Sequence, residues 1–127
     1  MRTLGQQRAG FALEQVYNGL AGKNQKFLDE FKSLTAGVPS MILMNGFGQT
    51  LAFMVAKSEE KYLMVFDMMK AWLVRQPWVA SANNRREFLI NITQMEQNDY
   101  LKTQKEALSF LEWVKRYAAM EAKGGGE

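Results

Sequence analysis

The sequence predicts an all-α fold, a compact single-domain bundle of five to six helices with a central apolar helix. Apolar residues recur every three or four positions along nearly the whole 127-residue chain, which is the spacing of one helix face. No segment alternates apolar and polar residues as a half-buried strand would. Helix-start signals, glycines and prolines divide the chain into segments joined by short connections, and short connections favour antiparallel neighbours.

The first two helices are predicted from caps and breakers. Thr3 and Gln6 have the spacing of a capping box, which predicts that a helix starts here and runs to the glycines at 19 and 22. A short second helix is expected to carry the apolar residues of segment 27–34. We expect it to stop near Gly37.

The third predicted helix is the most unusual segment. Pro39 suits a first turn, where its missing N–H costs nothing, and the helix is expected to run to about Lys57. Residues 39–54 are nearly all apolar, so this helix would have no continuous polar face. A helix that is apolar on all sides must be covered on all sides, and this predicts the centre of the bundle.

Two amides and two glycines interrupt this apolar segment. Asn45 and Gln49 lie one turn apart and could bind a base or a partner's backbone. Bonds to neighbouring helices are the favoured interpretation, because a buried amide without a partner is costly. Gly46 and Gly48 match neither a phosphate loop nor a dinucleotide fingerprint, and we expect them to allow close helix packing.

Three more helices complete the predicted bundle. Ser58 is expected to cap the fourth, which ends before Pro77. Asn84 is expected to cap the fifth, and the sixth is long and opens at Asn98 or Asp99. The domain is predicted to cover residues 1–122, and residues 123–127 are expected to form a disordered tail.

Composition excludes several classes of function. The chain has no cysteine and no histidine, which excludes disulfides, thiolate metal sites and nucleophilic sites that use a histidine base. No pair of acidic residues lies in an apolar context that would raise a pKa for acid–base catalysis. We expect no enzymatic activity, no cofactor, no metal and no small-molecule substrate; a carboxylate-dependent nuclease is the least supported alternative.

The sequence also predicts a cytoplasmic protein with no membrane partner. Residues 1–10 carry arginines and glutamines where a secretory signal needs an apolar run. The longest apolar segment, residues 38–56, is interrupted by Asn45 and Gln49, whereas a membrane span needs about 20 mostly apolar residues.

The net charge of +3 is concentrated in one stretch. Segment 68–86 contains four basic residues and no acidic one, while the other 12 basic residues face 13 acidic ones. Tryptophans are interleaved with these cations, and single-stranded nucleic acid is held by such a mixture of cations and rings. A solvated basic loop is the alternative, and at least one tryptophan is expected in the core. The predicted phosphate contacts are Lys70, Arg75, Arg85 and Arg86.

A second candidate group lies on the sixth helix. It consists of Lys102, Lys105, Lys115 and Arg116, of which Lys115 and Arg116 are the chosen phosphate contacts, and Glu112 precedes these two at helical spacing. Local ion pairing is therefore an equally good account of this group.

Three blocks of the sequence resemble the small subunit of the type III-B CRISPR RNA-silencing effector, the Cmr complex. They follow the same order and span almost the full chain. The blocks are Gln7-Arg8-Ala9 with Ala12-Leu13-Glu14-Gln15-Val16, then Asn45-Gly46-Phe47-Gly48-Gln49-Thr50-Leu51-Ala52-Phe53, and finally Tyr100-Leu101 with Glu106-Ala107-Leu108 and Leu111-Glu112-Trp113-Val114-Lys115-Arg116-Tyr117-Ala118.

The resemblance implies an all-helical, non-enzymatic subunit of a prokaryotic antiviral ribonucleoprotein. Several copies would stack into a filament beside the backbone subunits, and their basic side would line the groove that holds guide and target RNA. Nuclease and cyclase chemistry would belong to other subunits. The alternative is a pure protein–protein scaffold whose basic patch meets an acidic partner.

Overall fold

The computed structural model describes residues 1–125. Six α-helices occupy most of this part of the chain, and no residue in it forms a strand, which confirms the all-α class. In chain order the helices are α1 Leu4–Leu20, α2 Gln25–Asn45, α3 Phe47–Lys57, α4 Glu60–Leu73, α5 Arg85–Thr93 and α6 Gln97–Ala122.

The centre of the bundle is α6, which packs against α1, α2 and α4. Arg8 on α1 pairs with Glu106, and the Phe11 and Phe110 rings lie 6.2 Å apart. Because both members of these pairs advance together along the chain, α1 runs parallel to α6.

The second helix runs antiparallel to α6. Gln25, at its start, donates from Nε2 to the carbonyl oxygen of Ala122, at the end of α6. Phe47, just beyond the end of α2, donates its backbone N–H to Gln104, in the first half of α6. The two helices therefore lie side by side over most of their length.

One apolar core joins all six helices. Full burial of one large apolar side chain stabilises a fold by about 1.5–3 kcal/mol, and five phenylalanines are completely buried. They come from α2, α3, α4, α5 and α6: Phe31, Phe47, Phe66, Phe88 and Phe110.

Two predicted helix starts are confirmed. Thr3 and Gln6 form the capping box, with the Gln6 N–H donating to Thr3 Oγ1 over 3.1 Å and the Thr3 N–H to Gln6 Oε1 over 2.8 Å. Asn84 Oδ1 accepts from the Glu87 N–H over 2.8 Å and so caps α5.

The predicted bounds of the second and third helices are wrong. Pro39 lies inside α2, which continues for six residues beyond it. An interior proline removes one helical hydrogen bond, but Val38 and Ile42 beside it are completely buried, and this packing holds the helix together. Segment 39–57 is therefore the end of one helix and the whole of the next.

Gly46 separates these two helices. Its φ of 91° and ψ of 158° fall in a region that is essentially restricted to glycine. The first turn of α3 is capped from α6: Phe47 N–H donates to Gln104 Oε1 over 3.1 Å, and Gly48 N–H donates to Tyr100 Oη over 2.9 Å. The glycine thus allows a sharp corner.

Ser58 also departs from its predicted role. It ends α3, with φ of 58°, and α4 begins at Glu60 with Glu59 as its cap residue. The sixth helix opens at Gln97 and ends at Ala122. Of the predicted tail 123–127, residues 126 and 127 lie outside the described residues.

Candidate nucleic-acid interface

Arg75 lies in the turn after α4, against an aromatic face. Its guanidinium carbon is 4.8 Å from the centroid of the Phe11 ring, and that ring lies 5.4 Å from the Trp72 ring. A cation above an aromatic face is attracted by about 0.5–1 kcal/mol at exposed sites. Within residues 1–125 Arg75 forms no ion pair, so its charge remains available.

Arg85 is held by a carboxylate of its own chain. Its Nε donates to Oδ1 of Asp67 over 2.9 Å, and its Nη2 donates to Oδ2 over 2.8 Å. These hydrogen bonds, aided by the attraction between the charges, raise the pKa of Arg85 above its ordinary value. Asp67 therefore competes with any phosphate for this guanidinium group.

The Arg85–Asp67 pair has another candidate cation close to each of its members along the chain. It joins the first residue of α5 to α4, and Lys70 follows Asp67 by three residues, or about 4.5 Å along the helix axis. Arg86, next to Arg85, is exposed. In the described part of the chain neither Lys70 nor Arg86 forms an ion pair.

Lys115 and Arg116 form a separate group in the second half of α6. Lys115 Nζ lies 3.3 Å from Glu112 Oε2, as the sequence spacing allowed. Arg116 is exposed and has no acidic partner among residues 1–125. No hydrogen bond between described residues joins this group to the cations of α4 and α5.

The tryptophans of the basic stretch are mainly structural, which confirms the expectation that at least one is in the core. Trp72 is 3% exposed and donates from Nε1 to Glu106 Oε2 over 2.9 Å. Trp78 is half-buried and donates from Nε1 to Thr103 Oγ1 over 3.0 Å. Lys102 Nζ lies 4.5 Å from the centroid of the Trp78 ring.

Lys102 belongs to the second predicted group but not to its chosen phosphate contacts. It precedes Thr103, which holds Trp78, and the turn after α4 thereby comes to lie against the first half of α6. A contact between residues 25 positions apart has no local sequence signal. The structure therefore places Lys102 beside the turn after α4, where Asp99, with Oδ1 4.0 Å from Lys102 Nζ, partly neutralises its charge.

The amides of the apolar segment are placed differently from the prediction. Asn45 and Gln49 are exposed and their side-chain amides make no hydrogen bond among the described residues, so the favoured packing interpretation is wrong. A methyl group on Gly48 would lie 3.5 Å from Tyr100 Oη, which is ordinary contact. Gly46 is required by its backbone angles, and Gly48 contributes an N–H group to the corner.

Residues 1–125 hold no cluster of three or more acidic side chains that could bind a metal ion. None of the helices in this range is long and apolar enough to cross a bilayer.

Comparison with known proteins decides the family. The Cas_Cmr5 model, described as a CRISPR-associated protein, matches residues 4–121, which is nearly the whole chain. The chain belongs to the Cmr5 family. Cmr5 proteins are the small subunit of the type III-B Cmr complex, in general a non-catalytic component, and membership in the family indicates membership in the complex with other subunits.

A solved structure agrees with this assignment. The chain is similar to an X-ray crystal structure of a CRISPR-associated Cmr5 family protein from Thermus thermophilus, with a TM-score of 0.76 and 25% sequence identity. The match covers 94% of this chain and 96% of the other. The overall helical arrangement therefore matches that of a Cmr5 family protein.

Proposed function

We propose that this Cmr5 subunit stacks with further copies in the complex and supports guide and target RNA through phosphate contacts, without catalysing a reaction. The observation that supports this most is the set of cations without carboxylate partners in the described chain: Lys70, Arg75 and Arg86. They lie along the end of α4, the turn after it and the start of α5. Phosphate contacts supply most of the sequence-independent affinity for nucleic acid.

The contribution of each candidate differs. Arg75 is oriented by the Phe11 ring and loses little freedom on binding. Arg85 must first exchange Asp67 for a phosphate, so it is the weakest of the four. Arg116 and Lys115 form a second group, in which Lys115 contributes less because it pairs with Glu112. Base pairing carries the sequence in guided systems and protein holds the backbone, so no base specificity is expected here.

Salt dependence of target-RNA binding by the assembled complex tests the proposal. Changing Lys70, Arg75 and Arg86 to Gln removes three contacts in each copy that touches RNA. The log–log slope should flatten by roughly two units per copy, at about 0.7 per single-strand contact. The matched control changes Lys26, Lys32 and Lys123 to Gln; these cations are exposed and lie on or beside other helices.

The second candidate is a protein scaffold whose basic surface meets an acidic partner. Arg85 and Lys115 already bind carboxylates of their own chain, those of Asp67 and Glu112, which supports this candidate because the same side chains suit the carboxylates of an acidic partner. If the triple change leaves the salt slope of RNA binding unaltered but weakens assembly, this second candidate replaces the first.

A further inference from the structure

A long uncharged segment forms one corner of the molecule. Residues 33–56 contain no aspartate, glutamate, lysine or arginine. With 23% of the chain charged, a segment of 24 residues would ordinarily carry about five charges. Burial alone does not explain their absence, because the end of α2 and the outer side of α3 both reach the surface.

Large apolar side chains on this corner are exposed. Met44 is 83% exposed, Leu43 is 70% exposed and Phe53 is 41% exposed. Met44 and Phe53 line one open cleft of about 600 Å³ that spans the end of α2 and the start of α3. We call this surface the uncharged face and define it by Leu43, Met44, Asn45, Gln49, Ala52 and Phe53.

Two free amides lie within the same cleft. Asn45 and Gln49 both line it, and neither has a hydrogen-bond partner among residues 1–125. An amide can donate and accept, so the pair could bond the backbone groups of a partner. Without such bonds, covering these amides would cost free energy.

The chemistry of this face favours protein over RNA. Nucleic acid is held through cations that neutralise phosphates, and the nearest flanking cation along α3, Lys57, lies at its end, with Nζ 5.8 Å from the centroid of the Phe53 ring. Depletion of charge at the centre, with methionine and aromatic residues present, is typical of the core of a protein interface. The partner must also be uncharged where it covers the cleft, since no charged residue lines the cleft and a charge buried there would stay unpaired.

We propose that the uncharged face docks onto a different protein subunit of the Cmr complex, whose contacting surface is itself uncharged and offers backbone hydrogen-bonding groups. This rests on the proposed function, in which copies of the chain stack in the complex. Outside residues 33–56 the longest stretch without a charged residue is residues 76–84, so the rest of a second copy offers no uncharged segment of comparable length to a head-to-tail contact. Two copies joined face to face would match two uncharged segments but form a closed pair.

Charge insertion at the centre of the face tests this proposal. Met44→Glu and Met44→Lys place opposite charges on a side chain so exposed that folding is unaffected, which circular dichroism checks. Gln49→Glu adds a charge with almost no change of shape, in the first turn of α3 where a negative charge is favourable. Leu13→Glu is the matched control, because Leu13 is an apolar helix residue that is 41% exposed on α1.

The readout is incorporation into the complex, reconstituted from purified subunits with limiting amounts of this chain and measured by native mass spectrometry. All three variants on the face should lower the affinity by at least about tenfold, because each buries an unpaired charge. Leu13→Glu should incorporate normally.

Each other outcome overturns the proposal. Unchanged incorporation of the Met44 variants means that the face stays in solvent. If one Met44 variant incorporates less well and the variant of opposite charge incorporates better, the partner is charged. If Met44→Lys alone strengthens RNA binding, the face contacts RNA. A change in the sedimentation coefficient of the free protein on Met44→Glu means that the face already pairs with a second copy.

Failure of the proposed function gives a different pattern. The cation variants at Lys70, Arg75 and Arg86 should incorporate normally and change only the salt slope of RNA binding. If that slope stays unchanged, RNA support is overturned while docking through the uncharged face stands on its own measurements.

Discussion

Arg8 and Glu106, which are 98 residues apart, form a bidentate ion pair between α1 and α6. The Nε–H of Arg8 donates to Oε2 of Glu106 over 2.6 Å, and Nη2 of Arg8 donates to Oε1 of Glu106 over 3.0 Å. Trp72 of α4 donates from Nε1 to the same carboxylate over 2.9 Å. Three helices therefore meet at one acidic side chain, which is only 8% exposed.

Glu106→Ala should lower the free energy of unfolding by about 3–5 kcal/mol, because it leaves the Arg8 charge and the Trp72 N–H without a partner in a largely buried site. Urea denaturation measures the effect. The control is Glu112→Ala, which removes the exposed pair with Lys115 and should cost about 0–1 kcal/mol. Equal losses in the two variants would contradict a structural role for the Glu106 cluster.

Gly46→Ala should destabilise the corner between α2 and α3 by about 1–3 kcal/mol, because its backbone angles are strained for any residue with a Cβ atom. The methyl group itself meets nothing closer than 3.8 Å, so the loss would come from the backbone and not from a clash. Thermal unfolding measures it.

Gly10→Ala is the control for the Gly46 change. Gly10 lies inside α1, and a methyl group added to it would meet no atom within 4 Å, so alanine there should raise stability by about 0.5–1 kcal/mol. A gain at both positions would mean that Gly46 is not required by its conformation.

The fold class followed from the sequence because its strongest signals are local. The capping pairs Thr3–Gln6 and Asn84–Glu87 each need only four consecutive residues, and both form as predicted. The corner at Gly46 depends on two side chains of α6, Tyr100 and Gln104, which accept N–H groups from the first turn of α3. A contact between residues so far apart has no signal in the local sequence. The sequence of the apolar segment 39–57 therefore predicts one helix and not two.

The candidate site was predictable only in part for the same reason. Charge counting located Lys70, Arg75 and Arg86, but it could not show that Arg85 pairs with Asp67, 18 residues earlier. Spacing does contain one further signal. Glu106 lies on the stripe of α6 that faces the core, between Thr103 and Phe110, and an acidic residue on such a stripe indicates a buried partner.

Tyr100→Phe should destabilise the protein by about 1 kcal/mol, because the Gly48 N–H in the first turn of α3 loses its acceptor in a half-buried site. Amide hydrogen exchange at Gly48 should become faster, which a general loss of packing would not produce selectively. Tyr17→Phe is the control, since Tyr17 is exposed and should leave both stability and the Gly48 exchange rate unchanged.

Asp67→Asn should strengthen RNA binding by the assembled complex, because it releases the Arg85 guanidinium for phosphate. The log–log salt slope should steepen by about 0.7 units for each copy in contact with RNA, while the free energy of unfolding falls by less than about 1 kcal/mol for an exposed pair. Asp67 raises the pKa of Arg85, but an arginine is protonated at neutral pH without any partner, so the change reports the availability of Arg85 and not its protonation. Glu14→Gln makes the same change in net charge on α1 without releasing a cation. A slope that steepens equally in both variants would mean that RNA responds to overall charge and that Arg85 makes no phosphate contact.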